Sequence, residues 1–132
     1  MATIVDKGLE GIARIANGIL GGTPAYTYFE HLAIGTGTTA ENKADTIVET
    51  EITTGGGARA SSTVGYEATN KSTWVHTWTF TSGFTITECG IFDGATPGAA
   101  NSNMLMRHVF AASKTVANGD QLQLTCKMTV SR

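Results

Sequence analysis

The sequence has few charged residues, and its basic side chains are not grouped. Only 15% of the 132 residues are charged, the formal net charge is −2, and the nine lysines and arginines are scattered along the chain. A surface that binds nucleic acid needs a patch or stripe of basic side chains that follows the phosphates. The composition therefore argues against a nucleic-acid partner.

Long apolar runs are also missing. No stretch approaches the roughly 18 apolar residues that a membrane-spanning helix requires. Asp6 and Glu10 interrupt the amino end, where a secretory signal would place its apolar segment. We therefore expect a protein that has no membrane partner and is synthesised in the cytoplasm. In that reducing compartment Cys89 and Cys126 are expected to be buried thiols, and their pairing across a sheet stays open.

Motifs for catalysis and metal binding are lacking. The three histidines, His31, His76 and His108, are not at metal-ligand spacing, and the chain has no C-x-x-C and no G-x-S-x-G. The stretch Gly35–Ala40 fits a loosened dinucleotide fingerprint, but a polar segment follows where the fingerprint needs a helix. We predict a glycine turn there, and a protein without catalytic residues, cofactors or metal.

Period-two alternation is the strongest pattern that is present. In the segment 121–130, apolar and polar residues alternate strictly, as in a strand with one face on a core. The apolar set is Leu122, Leu124, Cys126, Met128 and Val130. Strands are also predicted at 73–81, 84–92 and 104–112, and Val64 and Tyr66 are the expected anchors of a weaker strand over 59–68. Residues 46–52 fit a strand or a short helix.

Two features of these strands leave alternatives open. Trp74, His76, Trp78 and Phe80 share one face, which fits a core, a subunit interface or a sugar-stacking platform. Glu88 lies in the middle of an apolar strand. It either faces solvent or, if buried, needs a donor such as Arg107 or His108.

The amino-terminal segment has helical rather than strand periodicity. Asp6 is the predicted N-cap, and an apolar face follows it. That face includes Leu9, Ile12, Ile15 and Ile19. Three glycines weaken this helix, each by up to about 1 kcal/mol relative to alanine. We therefore expect it to need a partner, either the sheet of its own chain or a neighbouring subunit.

Together these patterns predict a mainly β protein, an antiparallel β-sandwich or jelly-roll-like domain with one short N-terminal α-helix. A single domain is expected over 1–132, with the helix and a linker over 1–24 as an assembly arm and the β-sandwich over 25–132. The long loop from Asp93 to Asn103 is the expected site of mobility or contact.

Several stretches together resemble small virion proteins of tailed bacteriophages. They are 8–16, 32–38, 45–52, 84–92, 104–110 and 116–124, in the expected order over nearly the whole chain. The resemblance implies a non-enzymatic structural protein on the virion. We expect a capsid cement or decoration protein on the capsid surface that binds the major capsid protein. The alternatives are a neck, tail or fibre-adaptor component, and a carbohydrate-binding host-attachment module.

The contact elements expected for such a part are the amino-terminal helix and the long loop. The partners would be the major capsid protein or other virion proteins, and further copies of the chain in a closed homo-oligomer such as a trimer. The candidate interface residues are Leu9, Ile12, Ile15, Ile19, Gly94, Pro97, Asn101 and Asn103.

Overall fold

A computed structural model describes residues 2–131, which form eight strands and one helix. Met1 and Arg132, the ends of the predicted 1–132 domain, lie outside the described residues. The elements are β1 (Thr3–Ile4), α1 (Asp6–Ala16), β2 (His31–Gly35), β3 (Ala60–Ser61), β4 (Thr63–Ala68), β5 (Lys71–Thr79), β6 (Phe84–Phe92), β7 (Met104–Val116) and β8 (Gln121–Thr129).

The strands form two antiparallel sheets that pack face to face. The larger sheet has the order β1-β7-β6-β2-β3, and the smaller one has the order β4-β5-β8. Their inner faces share one apolar core, because alternate residues of each strand point inward. The prediction of a mainly β, antiparallel sandwich with one short N-terminal helix is confirmed.

Strand β8 has the predicted alternation. Its register with β5 is unbroken from Lys71–Thr129 to Thr79–Gln121. Cys126 is buried, and the other apolar side chains of β8 are partly buried against the core, while the intervening polar residues are exposed. A strand that is polar on one face and apolar on the other therefore closes one side of the small sheet.

The helix begins and ends differently from the sequence prediction. Asp6 is its first residue rather than its N-cap, because Val5 occupies the cap position in an extended conformation and makes no side-chain cap bond. The helix ends at Ala16, so Ile19 lies beyond it, after Gly18 has turned the chain at φ 69°. No helix among the described residues is long and apolar enough to cross a membrane.

Two other segments differ from expectation. Residues 46–52 form neither a strand nor a helix, and their only ladder contact is an isolated bridge between Gly35 and Glu51. The predicted strand over 59–68 is divided between β3 and β4, which belong to different sheets. Val64 and Tyr66 are 51% and 79% exposed, so their prediction as core anchors was wrong.

Candidate assembly interfaces

The inner face of α1 is built from its glycines. Gly8 and Gly11 are the buried residues of the helix. A Cβ at Gly8 would overlap the main chain of Leu105 in β7, and a Cβ at Gly11 would meet the rings of Phe29 and Tyr26. The glycines that weaken the isolated helix therefore let it approach the large sheet closely. The partner that the helix needs is the sheet of its own chain.

Hydrogen bonds from the helix hold the segment that follows it. The Tyr26 hydroxyl lies 3.0 Å from Glu10 Oε2 and 3.2 Å from the Lys7 carbonyl oxygen. Burial, together with this bond to Glu10, raises the pKa of Tyr26 to about 12. Arg14 donates a 2.6 Å bond to the Pro24 carbonyl oxygen. The helix and residues 21–26 are thus connected to each other as well as to the sheet.

The four candidate contact residues of the helical segment fall into two pairs. Ile12 and Ile15 are partly buried and pack against the core. Leu9 and Ile19 are 56% and 57% exposed and contribute little to that packing. An exposed leucine or isoleucine is common on protein surfaces, but here one lies on α1 and the other in the segment that directly follows it. These two side chains remain available to a partner.

The long loop has a fixed base and an exposed tip. Asp93 and Asn103 are buried. The Asp93 carboxylate accepts bonds from the backbone N–H groups of Asn103 at 2.6 Å and Thr27 at 3.1 Å. The Asn103 side chain also donates to the Ala25 carbonyl oxygen at 2.8 Å. The tip at residues 95–98 is exposed. The bonds at the base thus hold the two ends of the loop together.

The loop candidates therefore differ in what they can contact. Pro97 and Asn101 are exposed, and Gly94 is partly buried, with its carbonyl oxygen accepting a 2.9 Å bond from Arg59. Asn103 is 8% exposed, and its side chain is engaged in bonds within the chain. Among the loop candidates, Pro97 and Asn101 are the ones that a partner can reach.

A buried carboxylate organises the segment between β2 and β3. Glu88 is fully buried, and its carboxylate accepts three backbone N–H bonds, from Gly37 at 2.9 Å, Thr50 at 2.8 Å and Glu49 at 3.1 Å. Arg107 on the neighbouring strand supplies the positive charge, with Nε 2.9 Å from Glu88 Oε2. Of the two alternatives for Glu88, the buried one with Arg107 as its donor is confirmed.

Arg107 extends this cluster to the surface. Its guanidinium lies 3.0 Å from Asp45 and 3.4 Å from Glu49, and it donates a 2.9 Å bond to the Thr39 carbonyl oxygen. Bonds from Thr39 to the Glu49 carboxylate lower the pKa of Glu49. Residues 36–50 thus hold their shape through side chains, with almost no ladder bonds of their own.

The same carboxylate explains the two glycines at positions 35 and 37. A Cβ at Gly35 or at Gly37 would lie 2.5 Å from Glu88 Oε1. Two glycines separated by one residue therefore leave the space that the carboxylate occupies, and no helix follows them. In place of the predicted glycine turn, Gly35 is the last residue of β2, and residues 36–38 continue as an irregular segment.

The tryptophan face is inside the molecule. Trp74 and Trp78 are 6% and 3% exposed, and their indole N–H groups donate to the carbonyl oxygens of Phe29 at 2.6 Å and Ala58 at 2.8 Å. The core alternative is confirmed. The sugar-stacking alternative required an exposed platform, so it has lost its basis.

Both cysteines and two of the three histidines make contacts within the chain. Cys89 and Cys126 are buried free thiols on facing sheets, and the contact with Cys126, with burial, raises the pKa of the Cys89 thiol. His108 lies 3.2 Å from Glu41, and His76 packs edge-on against Trp78. Among residues 2–131, no group of three or more histidine, cysteine, aspartate and glutamate side chains is placed to hold a metal ion.

Comparison with known proteins gives one family. The family model described as "Podophage GP4 fiber I protein gp80" matches residues 13–130, which include the last turn of α1 and all strands from β2 to β8. No curated protein matches the chain.

Proposed function

The chain belongs to the podophage GP4 fiber I protein gp80 family, and on that basis we propose that it is a fibre-associated component of the virion. It is a structural protein of a tailed phage. The family match carries this proposal, since it covers every strand of the sandwich from β2 to β8. Of the positions considered from the sequence, the fibre alternative fits the family description. A capsid cement position does not follow from that description.

We further propose a non-enzymatic role with other virion proteins as partners. The proposal of a partner is supported by the exposed side chains Leu9 and Ile19 and by the exposed loop tip at 95–98. The helical segment is packed on the sheet, and the base of the loop is hydrogen-bonded to the rest of the chain. A rigid base lowers the entropy that a contact must lose on binding, so a small exposed patch can bind well when many copies act together.

The location on the particle is the first test. We expect cryo-electron microscopy of the phage to place the chain at the tail, and quantitative mass spectrometry to find it in far fewer copies than the major capsid protein. Hundreds of copies spread over the shell would contradict the fibre proposal and support the capsid cement position.

The proposed contact surface is tested by charge substitution. The double variant Leu9→Glu with Ile19→Glu is expected to fold normally, because both side chains are more than half exposed. Its incorporation into particles should fall at least about tenfold, since burying unpaired carboxylates in a contact is costly. Phage carrying each variant would be purified and the protein quantified per particle.

Ile47→Glu is the matched control for that experiment. Ile47 is 56% exposed, a fraction similar to those of Leu9 and Ile19, but it lies in the segment between β2 and β3 and not in the helical segment 6–19. The control variant should be incorporated normally. If incorporation into particles falls equally for the double variant and the control, or falls for neither, the helical segment is not part of the contact surface.

A further inference from the structure

Exposed apolar side chains concentrate around β4. Among the described residues, seven large hydrophobic side chains are exposed, and four of them lie on this strand or beside it. These four, Tyr28, Val64, Tyr66 and Val130, define the β4 face. Two open cavities of about 390 and 640 Å³ border it and share Ser72. Such clustering differs from the single exposed residues found on most surfaces.

The β4 face belongs to the inner side of the small sheet. Val64 stands directly opposite Trp74 in the antiparallel register, and Tyr66 stands opposite Ser72. Residues directly opposite each other in a ladder lie on the same face. Since Trp74 points into the core, Val64 and Tyr66 lie on the side that elsewhere packs against the large sheet. At β4 the small sheet extends beyond the large sheet, so the inner side of this strand is left exposed.

Strand β4 also has a free backbone edge. It is the first strand of the order β4-β5-β8, and no strand of residues 2–131 pairs with its outer side. The edge strands of the large sheet, β1 and β3, are two residues long, which limits unwanted pairing. Strand β4 is six residues long and contains neither proline nor lysine. It therefore lacks the short length, the proline and the lysine that protect many edges, and its own irregularities are the charged Glu67 and a register shift against β5 between Tyr66 and Ala68.

The sequence of β4 is complementary to itself in one antiparallel register. If two copies pair about Gly65, Val64 of each copy faces Tyr66 of the other, which is a favourable pair of a β-branched and an aromatic residue. Glu67, the one charged residue of the strand, then faces Thr63 rather than another carboxylate. A two-fold axis makes every contact occur twice.

Gly65 itself is not required by the packing of its own chain. A Cβ there would meet only the Thr73 hydroxyl, at an ordinary 3.4 Å, and Gly65 is not among the residues with positive φ. Glycine inside a strand lowers its stability and often marks the close approach of another backbone. Gly65 lies at the position through which the two-fold axis of the two paired β4 strands would pass.

We propose that β4 is a self-association edge, through which two copies of this chain pair antiparallel about Gly65 and join their small sheets into one of six strands. The pairing satisfies the free backbone edge and covers Val64 and Tyr66 with the same residues of the second copy. It is a two-fold contact, unlike the trimer considered from the sequence. It does not depend on the position of the chain in the virion.

Purified protein tests this proposal by sedimentation equilibrium over a wide concentration range. The wild-type chain is expected to form dimers. Tyr66→Lys should raise the dimer dissociation constant at least about tenfold, since an inward lysine opposes edge pairing. Ile47→Lys, at a comparably exposed apolar position on another segment, should remain dimeric. Both variants should be folded, with the circular dichroism spectrum of the wild-type chain.

The register has its own test at Thr63. Thr63→Glu places a carboxylate opposite Glu67 of the second copy at two symmetric positions and should weaken the dimer about fivefold to tenfold. Thr63→Lys places an ammonium there and should strengthen the dimer. A wild-type chain that is monomeric throughout, or a dimer unaffected by Tyr66→Lys, overturns the proposal. Equal effects of the two Thr63 variants overturn the register.

Discussion

Arg107→Met is expected to lower the free energy of unfolding by about 3–5 kcal/mol, the range for removing one partner of a buried ion pair. Glu88 is fully buried, so without the guanidinium its charge has no counterion in the core. The Thr39 carbonyl oxygen and Asp45 lose their bonds at the same time. Urea unfolding followed by tryptophan fluorescence measures the loss.

Two further variants show where the effect comes from. Lys127→Met removes an ion pair with Glu67 whose side chains are about half exposed, and it should cost at most about 1 kcal/mol. Adding Glu88→Leu to Arg107→Met should not restore stability, because the N–H groups of residues 37, 49 and 50 then lose their acceptor. Equal losses for Arg107→Met and Lys127→Met would contradict this account.

Gly8→Val is expected to destabilise the protein by about 3 kcal/mol through overpacking. The new side chain would overlap the main chain of Leu105, which belongs to a paired strand and cannot move alone. The helix would separate from the sheet. Thermal unfolding and helical circular dichroism would both report the change.

The control for that prediction is Ala13→Val on the same helix. Ala13 is exposed, so the substitution changes only helix propensity and should cost about 0.6 kcal/mol. Similar losses for the two variants would mean that Gly8 does not control how the helix packs. That result would also favour 1–24 as the separate assembly arm expected from the sequence.

The strands of the core were predictable because their patterns are local. In β8 the apolar residues recur at every second position, and the tryptophans of β5 follow the same rule. In β6 the alternation changes phase at the irregularity between Ile86 and Glu88. Burial of Trp74 and Trp78 follows from a central strand with large apolar residues on one face. Each of these conclusions needs only the residues of one strand.

Other features depend on distant segments and could not be predicted in this way. Alternation in β4 suggested core anchors, but whether another sheet covers that face depends on where the large sheet ends. The shape of residues 36–50 depends on Glu88 and Arg107, which lie far along the chain. Likewise, β5 and β6 are neighbours in sequence and lie in different sheets. Period-two patterns contain no information about such pairings.

The position of β1 also determines when the fold can be completed. Thr3 and Ile4 pair with Arg107 and Met106, so the first strand is translated long before its partner. At about 5–20 residues per second, a ribosome needs roughly 5–20 seconds to synthesise the intervening hundred residues. During that interval Val5 and the glycine face of α1 have no sheet to cover them. The pairing of β1 and the covering of α1 therefore cannot begin until β7 has been synthesised and has left the ribosome.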